Sequence, residues 1–345
     1  MSDGNPVPGS FWFYAPNKGA AIFFTIAFAA SGLFHLYQCI HLKSFRYTFY
    51  LPISCILFTV GFALRIYGAF DPSRLAIYLI STLTIYMSPP ILELSNYHVL
   101  GRLFYYVPYL SPFSIHPGRV LTTFGSLSSA AEVLNGLGVA YLANRSPSNK
   151  YYALGHNLMR ACLVLQIVII LAFLLFAARF HAQCARNRVA TARVGNLLAS
   201  LYASMGLILV RTVYRCVEHF SVSNVRPGSS SAAAAAAAGD LVHSLSPVIR
   251  YEWFFYVFEA APMLVNAAMW NARHPGRYLP RSYRTYLAQD GQTEIEGPGW
   301  EDQRGVVMSV IDPFGLVAMC EKGRGGVRFW EENGYHHLLG AATKV

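Results

Sequence analysis

Residues 157–178 read NLMRACLVLQIVIILAFLLFAA and indicate the fold class of this chain. The stretch holds a single charged side chain, Arg160, and about 20 mostly apolar residues are what a helix needs to cross roughly 30 Å of hydrocarbon. Further stretches of comparable length and apolar character occupy residues 20–39, 49–70, 75–100, 120–143, 197–214 and 253–270. The sequence therefore predicts an all-α integral membrane protein, a bundle of seven transmembrane helices.

The composition supports a membrane protein and argues against a soluble enzyme. Of 345 residues, 54% are hydrophobic and 13% are charged, whereas soluble domains carry about 25% charged residues. The first 284 residues contain eight acidic residues against 22 Lys and Arg. These basic residues lie singly between apolar blocks and form no stripe of the kind that nucleic acid requires. We therefore expect no nucleic-acid partner, and we assign the basic excess to short membrane loops.

The loop charges predict the orientation of the bundle, because Lys and Arg are retained on the cytoplasmic side. The loops after spans one, three, five and seven carry twelve Lys and Arg, and the opposite loops carry six. This bias predicts an external N-terminus and a cytoplasmic C-terminus. The expected location of the protein is the plasma membrane, and the endoplasmic reticulum and the vacuolar membrane are the alternatives.

The chain divides into three parts on this interpretation. Residues 1–18 form an external tail, and residues 19–284 form the helix bundle. An external loop at about 221–250 contains a low-complexity, alanine-rich run at 229–239. Residues 285–345 form a cytoplasmic tail in which the apolar residues follow no helical or strand periodicity, and we expect this tail to be disordered. The Pro89-Pro90 pair is expected to bend or break the third span, and glycosylation at Asn144 stays open because Pro147 follows the sequon.

Ionisable side chains inside the spans are the candidate functional residues, since each costs about 2.5 to 3.5 kcal/mol at the centre of a membrane helix. Candidates for a substrate path are Glu259, Glu132, Glu93, Arg65 and Tyr97. A polar cluster of spans six and seven is formed by Arg211, Tyr214, Arg215, Glu218 and Glu252. Within that cluster, residues 211, 215 and 218 have the spacing of one helix face.

Depth in the bilayer predicts how these groups pair. Arg215 and Glu252 fall near the external side on neighbouring antiparallel spans, so they could form an ion pair. Glu259 and Glu132 fall nearer the middle of the membrane without an obvious partner, which favours a role in lining a cavity. A purely structural role for the arginine-rich face of span six is an equally weighted alternative.

Familiar catalytic and ligand-binding patterns are missing. The sequence has no GxxxxGK[ST] loop, no HExxH and no GxSxG motif, and its six cysteines form no CxxC pair. We therefore predict no enzymatic activity, no cofactor and no metal site.

Two stretches resemble a known family. LILVRTVYRCVEHF at 207–220 and YEWFFYVFEAAPMLVNAAMWNARHPGRYLP at 251–280 are similar to the fungal RTA-like family, named for resistance to aminocholesterol and classed as lipid-translocating exporters. The family pattern falls on Arg211, Tyr214, Arg215, Glu218, Glu252 and the closing His274-Pro275-Gly276. Glu259 stands where the family more often has Asp.

Weaker similarity extends from Tyr14 to about Pro280. It includes Arg65 in span two, the run from Pro89 to Tyr97 in span three and Gln166 in span five. The chain departs from the family at Phe58, which replaces an acid, and at Ser128 and Asn135 in span four, where Asp and Gln are expected. Glu132 lies one turn away from both.

The resemblance implies a protein that exports or flips sphingoid long-chain bases or related toxic amphiphiles, and thereby confers resistance to stress and drugs. Membrane lipids or amphiphilic small molecules are then the expected partners, and protein partners are unknown. The alternative is a seven-helix receptor or regulator that senses lipid stress without transport. A membrane-embedded enzyme acting on lipid is a third and weaker hypothesis, because no catalytic set is visible.

Overall fold

The computed structural model describes Trp12 and residues 16–71, 74–110, 117–143, 149–222, 247–288 and 290–297. Its long helices are α1 (Lys18–His41), α3 (Tyr50–Gly68), α4 (Leu75–Tyr106), α5 (Pro117–Ala143), α6 (Asn149–Arg186) and α7 (Ala192–Val222). Short helices are α2 (Phe45–Thr48) and α8 (Pro247–Arg250). The last rod consists of α9 (Glu252–Phe255), a π-helical turn (Tyr256–Ala260) and α10 (Ala261–Ala272), and 3-10 turns lie at Pro108–Leu110 and Pro275–Arg277.

Several of these helices can cross a membrane, so the prediction of a multi-pass helical membrane protein is confirmed. Within the described residues, five helices are long and apolar enough: Lys18–His41, Tyr50–Gly68, Leu75–Tyr106, Ala153–Arg186 and Ala192–Ser221. Helix α5 and the α9–α10 rod do not meet the same criterion. The seven-span count and the orientation therefore stay predictions.

The distribution of side chains is that of a protein surrounded by lipid. Large apolar side chains cover the outside, as shown by Leu33 at 69% and Ile26 at 64% exposure. Ionisable and polar side chains lie inside, and Glu259 and His35 are fully buried. Ionisable side chains of membrane proteins face the bundle interior because contact with lipid is energetically costly for them.

The long helices close into a ring. Helix α3 packs between α1 and α4, and α4, α5, α6 and α7 then follow as successive neighbours. Helix α10 closes the ring by packing between α7 and α1, while α4 also touches α7 across the interior. Small residues allow close helix contacts: a Cβ on Gly61 would come within 2.5 Å of Ile85, and one on Gly138 within 2.6 Å of Met159.

The expected break at Pro89-Pro90 does not occur. Helix α4 runs without interruption from Leu75 to Tyr106, with both prolines inside it. Prolines remove amide donors, and nearby hydroxyl groups can support the affected turn in membrane helices. Here Ser54 Oγ donates to the Ser88 carbonyl at 2.9 Å and Ser88 Oγ donates to the Thr84 carbonyl at 2.8 Å. These bonds join α3 to α4 beside the proline pair, whereas the carbonyls that lose their regular helical donors are those of Ile85 and Tyr86.

The first part of the expected disordered tail is folded. Strands β1 (Thr285–Leu287) and β2 (Glu294–Glu296) form an antiparallel hairpin. Glu294 accepts a hydrogen bond from Tyr106 at 3.0 Å and pairs with Arg193 at 3.2 Å, so the hairpin docks on α4 and α7. The disorder prediction missed these contacts because they join residues far apart in the chain. Residues 298–345, the alanine-rich run at 229–239 and Asn144 lie outside the described residues.

Candidate functional site

An ion pair closes one end of the ring, and the helix termini place it there. Arg65 lies in the last turn of α3 and Glu252 is the first residue of α9, positions where helix dipoles favour a cation and an anion respectively. Arg65 Nη2 lies 2.8 Å from Glu252 Oε1, and the backbone amide of Asn17 donates to Glu252 Oε2 at 2.8 Å. Arg65 Nε also donates to the Tyr256 hydroxyl at 3.4 Å. This rim cluster joins the starts of α1 and α9 to the end of α3.

A second ion pair lies deeper, at the π-helical turn. Pro262 has no amide hydrogen and cannot make the regular helical bond to Phe258, so a wider turn precedes it. Glu259 lies in that turn and is fully buried. Its Oε1 accepts hydrogen bonds from Arg211 Nε at 2.9 Å and from Arg211 Nη2 at 2.7 Å. The pair fixes α7 to the last rod.

Arg215 connects this pair to α4. Its Nη1 donates to the Tyr86 hydroxyl at 2.7 Å, and its guanidinium lies 3.8 Å from the centroid of the Tyr86 ring. It also pairs with Glu218, and its Nε lies 3.9 Å from Glu259 Oε2. Tyr214 is buried beside it with its ring stacked on that of Phe258.

The prediction of an ion pair between Arg215 and Glu252 is wrong. The prediction that Glu259 has no obvious partner is wrong as well. Glu252 pairs with Arg65, and Glu259 pairs with Arg211. Sequence spacing identified the face of each helix, but it could not show which neighbouring helix that face meets. The π-helical turn also rotates Glu259 relative to a regular helix.

A third group of polar residues lies between α4 and α5 and contains no cation. Glu93 is 1% exposed, and its Oε2 accepts a hydrogen bond from the Tyr97 hydroxyl at 3.1 Å. Ser128 Oγ lies 3.0 Å from the Tyr97 hydroxyl and 3.5 Å from Glu93 Oε2. Further along α5, Glu132 accepts from Gln166 Nε2 at 3.0 Å. None of the ion pairs between described residues includes Glu93 or Glu132.

A cavity of about 630 Å³ lies beside this group, between α4 and α5. Its polar lining includes Tyr86, Ser128, Ser129, Glu132, Asn135 and Arg215, and its apolar lining includes Leu79, Leu83, Met87, Leu94 and Val139. Leu79, Leu83 and Met87 are 42% to 53% exposed on the outside of the ring. The cavity therefore opens sideways, toward the surface that faces lipid.

A small polar pocket of about 30 Å³, large enough for a water molecule, adjoins the cavity. Glu132, Tyr86 and Arg215 line both spaces, and Gln166 and Arg211 line only the small one. Among the described residues, no group of three or more His, Cys, Asp or Glu side chains could hold a metal ion. The arrangement can therefore offer a carboxylate, a guanidinium and hydroxyl groups to a ligand that also has an apolar part.

The structure divides the predicted candidates by location. Glu132 and Arg215 line the cavity, Glu93 and Tyr97 lie directly behind Ser128, and Glu259 and Arg65 are held in ion pairs away from the cavity lining. The sequence interpretation missed Tyr86. It lies seven residues before Glu93, on the same face of α4, so extending that polar stripe by two turns would have found it.

Comparisons with known proteins identify relatives. The sequence model of one family, described as RTA1 like protein, matches residues 51–225. The chain is 41% identical over 329 residues to the lipid-translocating exporter-like protein RTA1 of Leptosphaeria maculans. This alignment covers 92% of the chain and 61% of that protein. It is 28% identical to the protein of the same name from Ajellomyces capsulatus, over 81% of the chain and 85% of the relative.

A third relative is the probable lipid transporter atnI of Emericella nidulans, with 25% identity over 79% of the chain and 69% of the relative. The chain thus spans less than two thirds of the Leptosphaeria maculans protein and most of the other two. No solved structure matches the chain.

Proposed function

The chain belongs to the RTA1-like family, and on that basis we propose that it moves lipids or lipid-like amphiphiles across a membrane. The names of three relatives, which include lipid-translocating exporter-like protein and probable lipid transporter, support this function. The observation that carries the proposal is the lateral cavity between α4 and α5. The proposal includes no catalytic step and no cofactor.

The size and lining of the cavity suit one amphiphile. Small-molecule sites usually have volumes of about 300 to 1,000 Å³, with apolar walls and a few polar groups. The cavity has a volume of about 630 Å³, with Leu83 and Met87 near its opening and Glu132 and Arg215 among its polar lining. An acyl or alkyl chain can remain against the apolar wall while the polar head enters between the helices.

We assign sphingoid long-chain bases as the substrate class. Such a molecule carries an ammonium group, hydroxyl groups and a single alkyl chain. Glu132 would attract the ammonium group, since its carboxylate is paired with amides and with no cation. Ser129 and Asn135 line the same cavity and would bind the hydroxyl groups. Glu259 contributes indirectly by holding Arg211 and Arg215 in place.

We propose that α5 and the α9–α10 rod complete seven membrane spans. Helix α5 lies between α4 and α6 in the helix ring, and the last rod lies between α7 and α1. Glu252 at the start of α9 lies at the same end of the bundle as Arg65 at the end of α3. With an external N-terminus, this rim cluster faces the outside and the β-hairpin faces the cytoplasm. We propose the plasma membrane as the location and export as the direction of movement, in line with the names of the exporter-like relatives.

Reconstitution tests the proposal. Purified protein in phosphatidylcholine vesicles is expected to increase the transbilayer movement of labelled sphingosine above that of protein-free vesicles. Gly136→Leu should abolish the increase, because Gly136 lines the cavity and has no atom within 4 Å of its Cβ position, so that a Leu side chain would project into open space.

Gly206→Leu on α7 is the matched control, since its Cβ position is equally open but lies away from the cavity lining. Glu132→Gln should reduce sphingosine movement more than the movement of an uncharged ceramide analogue. Movement of no lipid by any of these proteins would contradict the proposed function and would favour a receptor without transport.

A further inference from the structure

Glu93 is a deeply buried acid that neither the proposed lipid path nor an ion pair between described residues uses. It lies near the middle of α4, is 1% exposed and is absent from the cavity lining. Its hydrogen-bond donors are the hydroxyl groups of Tyr97 and Ser128. Hydroxyl groups can donate to a carboxylate or accept from a carboxylic acid, so they suit both protonation states.

The charged groups around Glu93 leave it without a neutralising cation. Arg211 on α7 approaches from one side, but its Nε and Nη2 both bind Glu259 Oε1. Glu132 on α5 approaches from another side and adds negative charge, and Gln166 on α6 is bound to Glu132. Burial without a nearby cation favours the neutral form of a carboxyl group, and a like charge close by has the same effect.

Ser128 links this carboxyl group to the cavity. Its hydroxyl group touches both Glu93 and Tyr97, and Ser128 itself lines the cavity. Glu132, the proposed ammonium partner, lies one helical turn further along α5. A positive group that enters the cavity beside Glu132 therefore comes close to Glu93, whose carboxyl group is linked to the cavity lining by the Ser128 hydroxyl group.

We propose that Glu93 binds and releases one proton in each transport cycle, so that the movement of a cationic amphiphile is coupled to a proton gradient across the membrane. This inference rests on the proposed transport function. When the ammonium group enters beside Glu132, its charge stabilises ionised Glu93, and the proton leaves through the two hydroxyl groups to water in the cavity. When the amphiphile leaves, Glu93 takes up a proton again, and one cation has been exchanged for another.

The coupling has a quantitative consequence. Each pH unit is worth 1.36 kcal/mol, a factor of ten in an equilibrium. An electroneutral exchange of one proton for one cation therefore supports about a tenfold concentration ratio of the amphiphile for each unit of pH difference. The amphiphile accumulates on the side with the lower pH of the two.

The first experiment measures transport with a permanently charged probe. Tritium-labelled N,N,N-trimethylsphingosine has no proton to lose, so a pH gradient does not redistribute it without the protein. In vesicles that contain the full chain, we expect about a tenfold accumulation per pH unit. Glu93→Gln should retain movement down the concentration gradient and lose the accumulation, and Glu93→Asp should keep part of it.

The second experiment measures proton release directly. Addition of the same probe to the purified protein in weakly buffered detergent solution, with a pH indicator, should release about one proton per bound molecule, as one-for-one exchange requires. Glu93→Gln should release none. The control is Glu294→Gln, the same substitution at a residue of the β-hairpin outside the helix bundle. This variant should release as many protons as the unchanged protein.

The outcomes separate the two proposals. Probe movement without accumulation in the unchanged protein would overturn the proton coupling and leave the transport function intact. Undiminished proton release by Glu93→Gln would also overturn it. Absence of any protein-dependent movement would contradict the transport function and the coupling with it.

Discussion

Two regions of the helix ring treat buried carboxylates differently. Where the last rod meets α3 and α7, each acid faces an arginine: Glu252 lies 2.8 Å from Arg65, and Glu259 lies 2.7 Å from Arg211. Between α4, α5 and α6, hydroxyl and amide groups take the place of the arginines. We call these regions the ion-paired seam and the hydrogen-bonded seam.

The difference separates structure from function within one bundle. An ion pair in a membrane interior satisfies both charges and holds two helices together, but it leaves neither charge for a ligand. The hydrogen-bonded seam has acids that no arginine pairs with, which leaves them available to a visiting cation, and the cavity lies on that seam. Stability should therefore depend on the first seam and transport on the second.

The largest expected effect is that of Glu259→Gln, which leaves Arg211 buried without a counter-charge. Removing one member of a buried pair costs about 3 to 5 kcal/mol. We expect a loss of this size in the free energy of unfolding, measured by SDS titration in mixed micelles. The double variant Arg211→Gln with Glu259→Gln should recover most of the loss, since it removes both charges. An equal loss in the single and double variants would show that the charge pairing does not matter.

The next effect compares two glycines on α5. A Cβ on Gly138 would come within 2.6 Å of Met159 and 3.0 Å of the Gly155 carbonyl, whereas a Cβ on Gly136 would meet nothing within 4 Å. Overpacking a close contact costs about 1 to 3 kcal/mol. Gly138→Ala should therefore destabilise the protein by that amount, while Gly136→Ala should be neutral or slightly stabilising because Ala favours helix. Equal effects of the two substitutions would contradict an open cavity beside α5.

The sequence predicted the helices and the polar stripes because both depend on local spacing. The apolar stretch at 157–178 lies inside α6, and residues 211, 215 and 218 share one face of α7 in the structure. The partners of these residues depend on which helices become neighbours. No spacing along the chain contains that information, so the pairing of Arg65 with Glu252 could not be predicted.

Other differences have local causes that a simple pattern overlooks. The third span continues through Pro89-Pro90, and Ser54 of a different helix binds the carbonyl of the preceding residue, Ser88. The π-helical turn before Pro262 shifts the register of Glu259. A cavity was predicted only from Glu259 and Glu132, and of these two Glu132 lines it; its apolar wall includes leucines and a methionine that resemble any lipid-facing surface.

A smaller effect is expected where the two seams meet, at the Tyr86 hydroxyl that binds Arg215 at 2.7 Å. Hydrogen bonds between membrane helices contribute about 0.6 kcal/mol on average and at most about 1.7. Tyr86→Phe should lower the free energy of unfolding by an amount in this range. Tyr37→Phe, on an exposed face of α1, is the control and should have no effect. A loss well above the range would mean that Tyr86 also holds the last rod in place.

The smallest expected effect on stability is that of Glu93→Gln. Its hydrogen-bond donors, Tyr97 and Ser128, can bind an amide oxygen as they bind a carboxyl oxygen, and no arginine loses its partner. Large losses come from unpaired buried charges, unsatisfied polar groups and misfitting side chains, and this exchange introduces none of them, so we expect a loss of about 0.5 kcal/mol at most. The same chemical exchange at Glu259 is expected to cost several times more, so the two variants, unfolded side by side in mixed micelles, compare the seams directly. A loss at Glu93 as large as that at Glu259 would show that Glu93 is held as an ion, and a site for a mobile proton could not then lie there.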